Sequence, residues 1–151
     1  MMNIQGLLQE QSIMIPLETS DKESCIQAMI DGLEAAGCLR DKSAYFDAVM
    51  KREETGSTGI GFGVAIPHGK SGGVSKAGLA FAKLTQPLDW QSLDGNPVSI
   101  VFMIAVPEEA AGNEHLQILI ALSRKLIDEQ FRQSLLNITE PQQLIDLLQA
   151  I

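Results

Sequence analysis

Between Val98 and Val106 only Ser99 is polar, and Pro107 stands directly behind the run. A helix that crosses a bilayer needs about 20 apolar residues, so this stretch is buried in protein, not in lipid. An almost continuous apolar strand is covered on both faces, unlike an alternating strand that turns one face to water. The rest of the chain must therefore supply a layer on each side. With 151 residues, 45% hydrophobic and 20% charged, it has the length and the apolar content to do so.

Several segments have the pattern of those layers. Ile13–Ile15 reads as a first short strand stopped by Pro16. Ser20-x-x-Glu23 has the form of a capping box, and behind it Ile26, Met29, Ile30 and Leu33 recur at helical spacing before Gly37. A second helix starts near Lys42, with Tyr45, Val49 and Arg52 on one line, Phe46 and Met50 beside it, and Arg52 in the last turn. Val64–Ile66 reads as a strand that Pro67 prevents from continuing as a central one, and Leu79–Leu84 as another. Residues 86–96 form a turn-rich connection.

Gly112-Asn113 opens the most regular helix, where His115, Ile118, Leu119, Leu122 and Leu126 form one stripe. A shorter helix covers Glu129–Leu136. The last follows a Thr139-x-x-Gln142 capping pattern, with Leu144, Leu147, Leu148 and Ile151 facing inward. Helices alternating with apolar strands give an α/β fold: one layered domain over residues 1–151, with a mixed central sheet flanked by helices.

The segment from Gly56 to Lys70, GSTGIGFGVAIPHGK, is where chemistry is expected. Its five glycines and Pro67 describe a tightly turning backbone with accessible amides. Three familiar glycine motifs fail on spacing. Gly63 is separated from Gly69-Lys70-Ser71 by five residues, so no Walker A cradle forms. Gly61-x-Gly63 is followed by Ile66 where a dinucleotide fingerprint needs glycine, and the segment leads into a strand. No G-x-S-x-G nucleophile elbow is present. What the segment offers is His68, with Pro67 fixing the backbone before it and Gly69 removing bulk after it.

His68 and His115 are the only histidines. A lone histidine is more often a hydrogen-bonded structural residue than a catalyst, but the mount of His68 suits an imidazole presented to a partner. His115 is read either as a core-edge histidine bonded to a backbone carbonyl or as a second active-site group. Arg52 is either a solvated charge favourable to its helix dipole or a guanidinium clamp for a phosphoryl group. Lys70 and the pair Glu108-Glu109 read as solvated. Two histidines without a third ligand make a poor metal site.

The remaining exclusions follow from charge and cysteine usage. A net charge of −8 argues against nucleic acid, whose backbone demands clustered Lys and Arg. Cys25 and Cys38 form no CxxC and suit a reducing compartment. The N-terminal segment lacks a basic region followed by an apolar stretch. The expectation is a cytoplasmic protein with no direct membrane insertion.

Taken together, Arg52-Glu53-Glu54, Gly56-Ser-Thr-Gly-Ile-Gly61, Gly63-Val-Ala-Ile-Pro-His-Gly69 and the stretch from Val106 through Glu114-His115-Leu116 to Leu126 resemble one known family. It is the cytoplasmic enzyme IIA domain of the fructose–mannitol class, from the bacterial phosphoenolpyruvate-dependent sugar phosphotransferase system. The resemblance implies a phosphotransferase component in which His68 takes a phosphoryl group from the phosphohistidine of the carrier HPr. A cysteine of a IIB domain, coupled to a membrane IIC component, then receives it. His115 would be the second active-site histidine and Arg52 the residue that balances the phosphoryl charge. The resemblance implies no metal, nucleotide or other cofactor beyond the covalent phosphohistidine. The Pro107-Glu-Glu-Ala-Ala-Gly112 stretch looks more like sugar-transporting, fructose-type domains than like the nitrogen-related regulatory type. A regulatory protein controlled by His68 phosphorylation, or a module that merely binds an anion, are the competing readings.

Overall fold

Residue 98 starts the strand around which the other elements are arranged. The structure, a computed structural model, describes residues 5–109 and 114–149. Its strands are β1 (Ile13–Leu17), β2 (Gly59–Gly61), β3 (Val64–Ala65), β4 (His68–Ser71), β5 (Gly78–Leu88) and β6 (Val98–Pro107). Its helices are α1 (Lys22–Ala35), α2 (Lys42–Thr55), α3 (Glu114–Leu126), α4 (Glu129–Asn137) and α5 (Pro141–Leu148). The sheet order is β1-β5-β6-β3-β2, with β4 also paired to β6. β5 runs antiparallel to β6, whereas β3 and β4 run parallel to it, so the sheet is mixed.

From Ile100 to Val106 the side chains of β6 divide by parity, as the two-residue period of a strand requires, whereas Val98, beyond the register shift with β5, joins the second core. Ile100, Phe102, Ile104 and Val106 enter one core with Leu79 and Phe81 of β5 and with Ile118, Leu122, Phe131, Leu135, Leu144 and Leu148 of the last three helices. Val101, Met103 and Ala105 enter a second core with Ile26, Met29 and Leu33 of α1 and Tyr45 and Val49 of α2. Each fully buried aliphatic or aromatic side chain contributes roughly 1.5–3 kcal/mol relative to exposure, so both layers are needed to hold β6. This is the layered α/β arrangement expected from the apolar run.

Several local expectations are corrected by position in the sheet. β1 continues through Pro16 to Leu17, with a cis Ile15–Pro16 peptide. Among the described residues it is an outer strand, next to β5, where the missing N–H of proline is tolerated. β3 does stop before Pro67, as expected, but pairing with β6 resumes beyond it in β4. β3 pairs Val64 with Ile100 and Ala65 with Val101, and β4 pairs His68 with Ile104 in unchanged register. Pro67 needs no N–H there, because its contribution to the ladder is its carbonyl, which accepts from Ile104 N at 3.0 Å. β5 extends beyond Leu84 to Leu88 through a register shift, pairing Leu88 with Val98.

Two caps lie one residue later than the sequence pattern suggests. Asp21, not Ser20, caps α1 by accepting from Ser24 N at 2.7 Å. Glu140, not Thr139, precedes α5, and Gln143 Oε1 accepts from the amides of both Thr139 and Glu140. Gly37 (φ 84°) follows α1 in the left-handed conformation, as a helix terminator should. α4 closely matches its expected span. The Gly112-Asn113 helix opening and Ile151 lie outside the described residues.

Candidate active site

β4 begins with His68, and the pairing that carries the strand past Pro67 decides how the imidazole is held. Residues 64, 66 and 68 share a face by parity, and Val64, Ile66 and the partner Ile104 all belong to the core under the last three helices. Within this frame the ring folds back along its own strand. His68 Nδ1 lies 2.9 Å from the carbonyl oxygen of Ile66. A carbonyl only accepts, so Nδ1 carries the hydrogen and the lone pair of the neutral ring resides on Nε2. His68 is half-buried.

Ile66 is fixed in turn from the other side. Its N–H donates to the Thr58 carbonyl at 3.0 Å, extending the antiparallel β2–β3 pairing in which Gly59 faces Ala65. Continued by two residues, that register sets Gly56 opposite His68. There the chain instead turns into the C-terminus of α2, for which Gly56 is the C-cap.

Arg52 occupies the last turn of α2, as expected. Its Nη1 donates to the Gly56 carbonyl at 2.7 Å and to Thr55 Oγ1 at 3.3 Å. The guanidinium therefore caps its own helix at the residue whose register position faces His68. A second contact brings α2 to the same strand. A Cβ placed on Gly69 would lie 3.3 Å from Val49 Cγ2 and 3.4 Å from Ala48 Cβ, so only glycine permits this approach without displacement. Arg52 follows Val49 by one helical turn. The helix that carries Arg52 therefore packs on the strand that begins with His68.

His115 lies in the first turn of α3, the helix whose Ile118, Leu122 and Leu126 cover the face to which His68 belongs by register. Its side chain lies outside the described residues, and so does residue 112 of the stretch that precedes it. Glu109, expected as a solvated charge, is exposed and pairs with Arg40 at 2.7 Å. A hydrogen bond from its own backbone N–H, and after it the Arg40 bond, hold its carboxyl below the ordinary glutamate range.

Four residues of this region escape sequence reasoning. The Glu53 carboxylate is 4% exposed, binds Lys22 Nζ at 2.8 Å and accepts from Thr58 N at 3.3 Å. It also accepts a short hydrogen bond from Thr58 Oγ1. Thr58 Oγ1 accepts from Trp90 Nε1 at 3.1 Å, and the ammonium of Lys22 stands 5.4 Å from the centre of the Trp90 ring. Glu53 is adjacent in sequence to Arg52 and Thr58 lies in the glycine-rich segment, so proximity alone could have flagged both. No spacing rule connects Lys22 or Trp90 to them.

Among the described residues no cluster of three or more His, Cys, Asp or Glu is arranged to hold a metal ion. No helix among them is long and apolar enough to cross a membrane. The arrangement presents an imidazole whose Nδ1 donates to a main-chain carbonyl, at the head of a strand on which the helix of Arg52 packs.

The sequence profile of the family described as "Phosphoenolpyruvate-dependent sugar phosphotransferase system, EIIA 2" matches residues 6–151. The PTS system fructose-specific EIIABC component of Bacillus subtilis is 41% identical over 147 residues, which is 97% of this chain and 23% of that protein. The PTS system fructose-specific EIIA component of Haloferax volcanii is 42% identical over 127 residues, 84% of this chain and 82% of that protein. In three dimensions, the nitrogen regulatory protein IIA-Ntr from Neisseria meningitidis matches with a TM-score of 0.84 at 31% identity. That match covers 96% of this chain and 98% of the Neisseria chain.

Proposed function

This chain belongs to the EIIA 2 family of the phosphoenolpyruvate-dependent sugar phosphotransferase system, and from that premise we propose that it carries phosphoryl groups on His68 for fructose-type transport. The observation that carries the assignment to His68 is the bond from its Nδ1 to the Ile66 carbonyl. With Nδ1 protonated, the Nε2 lone pair attacks the phosphorus of a phosphohistidine donor, the carrier HPr. A P–N bond forms to His68 as the donor's P–N bond breaks, and the departing donor imidazole keeps that electron pair.

The phosphorylated ring of His68 then bears the positive charge of an imidazolium, which the Ile66 carbonyl stabilises through the same hydrogen bond. An imidazolium is also a good leaving group. Attack by a cysteine thiolate of a IIB domain, coupled to a membrane IIC component, moves the phosphoryl group onward and returns His68 to its neutral tautomer. Such transfers are dominated by positioning and by neutralisation of the equatorial oxygens. Arg52 supplies positive charge for this, and His115, from the start of α3, is the second group against the phosphoryl oxygens. No nucleotide or metal takes part in this scheme, and residues 1–151 act as a single EIIA domain in the cytoplasm.

Fructose is preferred because two fructose-specific relatives are 41% and 42% identical to this chain. The likeness to IIA-Ntr favours a second reading, in which phosphorylated His68 controls another protein and no sugar moves. Incubation with phosphoenolpyruvate, enzyme I and HPr, followed by intact-mass measurement without acid, tests the assignment. One acid-labile phosphoryl group is expected on the native protein and none on His68→Ala; equal labelling of both would overturn it. Onward transfer to a fructose IIB cysteine separates transport from regulation, and absence of any label would leave only an anion-binding module.

A further inference from the structure

We propose that Glu53 is a positioning residue for phosphoryl transfer, selecting the reactive tautomer of His68 through Thr58 and Ile66, with Lys22 as its fixed counter-ion. The inference rests on the assignment of His68 as phosphoryl acceptor. The route consists of consecutive bonds. Glu53 accepts from both the backbone N–H and the hydroxyl of Thr58; the Thr58 carbonyl accepts from Ile66 N; the Ile66 carbonyl accepts from His68 Nδ1. Each bond orients the group that makes the next.

A carboxylate at 4% exposure is costly to bury, and structural needs alone do not require one here. Gly59, directly after Thr58, pairs with Ala65 in the sheet, so the backbone ladder is already present. Where the chain leaves helix geometry and enters the sheet, Arg52 holds the Gly56 carbonyl and Ser57 Oγ bridges the Trp90 carbonyl and Gly59 N, but neither holds Thr58. Glu53 does, grasping Thr58 at two atoms from five residues earlier in the chain. Trp90 closes the other side of the Thr58 hydroxyl, and Lys22 neutralises the carboxylate. That neutralisation matters near a site that takes up a phosphoryl dianion, because an uncompensated buried carboxylate would oppose the incoming charge.

The test uses the full chain with Glu53→Gln, and Thr58→Val as a second variant that removes the hydroxyl while keeping the shape. The first readout is the pair of ring ¹⁵N shifts of His68 in the unphosphorylated protein. Wild type is expected to hold the hydrogen on Nδ1, and both variants to show a mixture of tautomers. The second readout is phosphorylation by phospho-HPr, where the rate at saturating donor should fall on the order of tenfold while the apparent affinity for the donor is retained. Wild-type ring shifts and wild-type rate in folded Glu53→Gln overturn the proposal. If Glu53→Gln does not fold, the same two results in Thr58→Val overturn it. Failure of the assignment itself is distinguishable, since then wild type takes no label or His68→Ala takes it equally. The ring shifts of the unphosphorylated protein still decide whether Glu53 sets the tautomer.

Discussion

Nδ1 of His68 and the carbonyl oxygen of Ile66 are 2.9 Å apart, two residues along one strand. The contact ties the chemistry of the imidazole to the pairing of the sheet, because the same Ile66 donates its N–H to Thr58. Of the two ring nitrogens, Nδ1 is engaged as a donor, so the phosphoryl group is expected on Nε2 alone. Two-dimensional ¹H–¹⁵N spectra of the phosphorylated protein check this through the couplings of the ring protons to the substituted nitrogen. A phosphoryl group on Nδ1 would mean that the Ile66 bond breaks before transfer.

Gly69 provides an independent handle on the same strand. Val49 Cγ2, Ala48 Cβ and Tyr45 Cε1 all lie 3.3–3.4 Å from the place a Cβ would occupy, and all three belong to α2. Gly69→Val therefore pushes α2 off β4 and carries the last turn, with Arg52, away from His68. Overpacking of this kind costs about 1–3 kcal/mol. Urea denaturation should show a lowered midpoint with unchanged slope, and phosphorylation at His68 should slow even where the variant is fully folded. A variant as stable and as fast as wild type would show that the helix–strand contact does not position the site.

The layers were legible in the sequence wherever periodicity was sustained. The Val98–Val106 run implied a strand covered on both sides, and the stripes of α1 and α3 lie in the two cores. Pro16 was misread, and the resumption of pairing beyond Pro67 was missed, because the effect of a proline depends on neighbours that periodicity does not reveal. Pro16 sits on an outer strand, and Pro67 sits where the ladder uses a carbonyl. The places of His68 at the head of β4 and of Arg52 in the last turn of α2 were legible from loop chemistry and helix position. The Lys22–Glu53–Thr58–Trp90 cluster was not, because it joins four segments that meet only after the sheet has formed.

Cys25 gives the fold a measurable alkaline limit. Burial in the core between α1 and the sheet pushes its thiol from 9.0 to about 12. Burial also pushes the Tyr45 phenol upward, and Cys38 in the same direction. Between pH 9 and about 12 the unfolded chain has lost the Cys25 proton while the folded chain keeps it. The unfolded state then binds fewer protons, so stability falls as pH rises through that window. Chemical denaturation from pH 8 to 11 should show this decline, and Cys25→Ala should be less steep than wild type. A decline of equal slope in Cys25→Ala would assign the alkaline limit to the other buried groups.

The Lys22–Glu53 pair makes the sharpest energetic prediction, because its two partners are unequally buried. The Glu53 side chain is 4% exposed and that of Lys22 is 18%. Removing one partner of a buried pair strands the other and typically costs about 3–5 kcal/mol, whereas replacing both is far milder. Lys22→Met leaves Glu53 charged beside Thr58 and should destabilise strongly; Glu53→Gln leaves the more accessible ammonium, which can turn toward water, and should cost less. The double variant should therefore be more stable than the sum of the singles implies, with a coupling of roughly 1–3 kcal/mol in a double-mutant cycle. Denaturation of the four proteins at pH 7 measures it. Additive losses would mean that Lys22 and Glu53 act separately, and that the carboxylate is held by Thr58 alone.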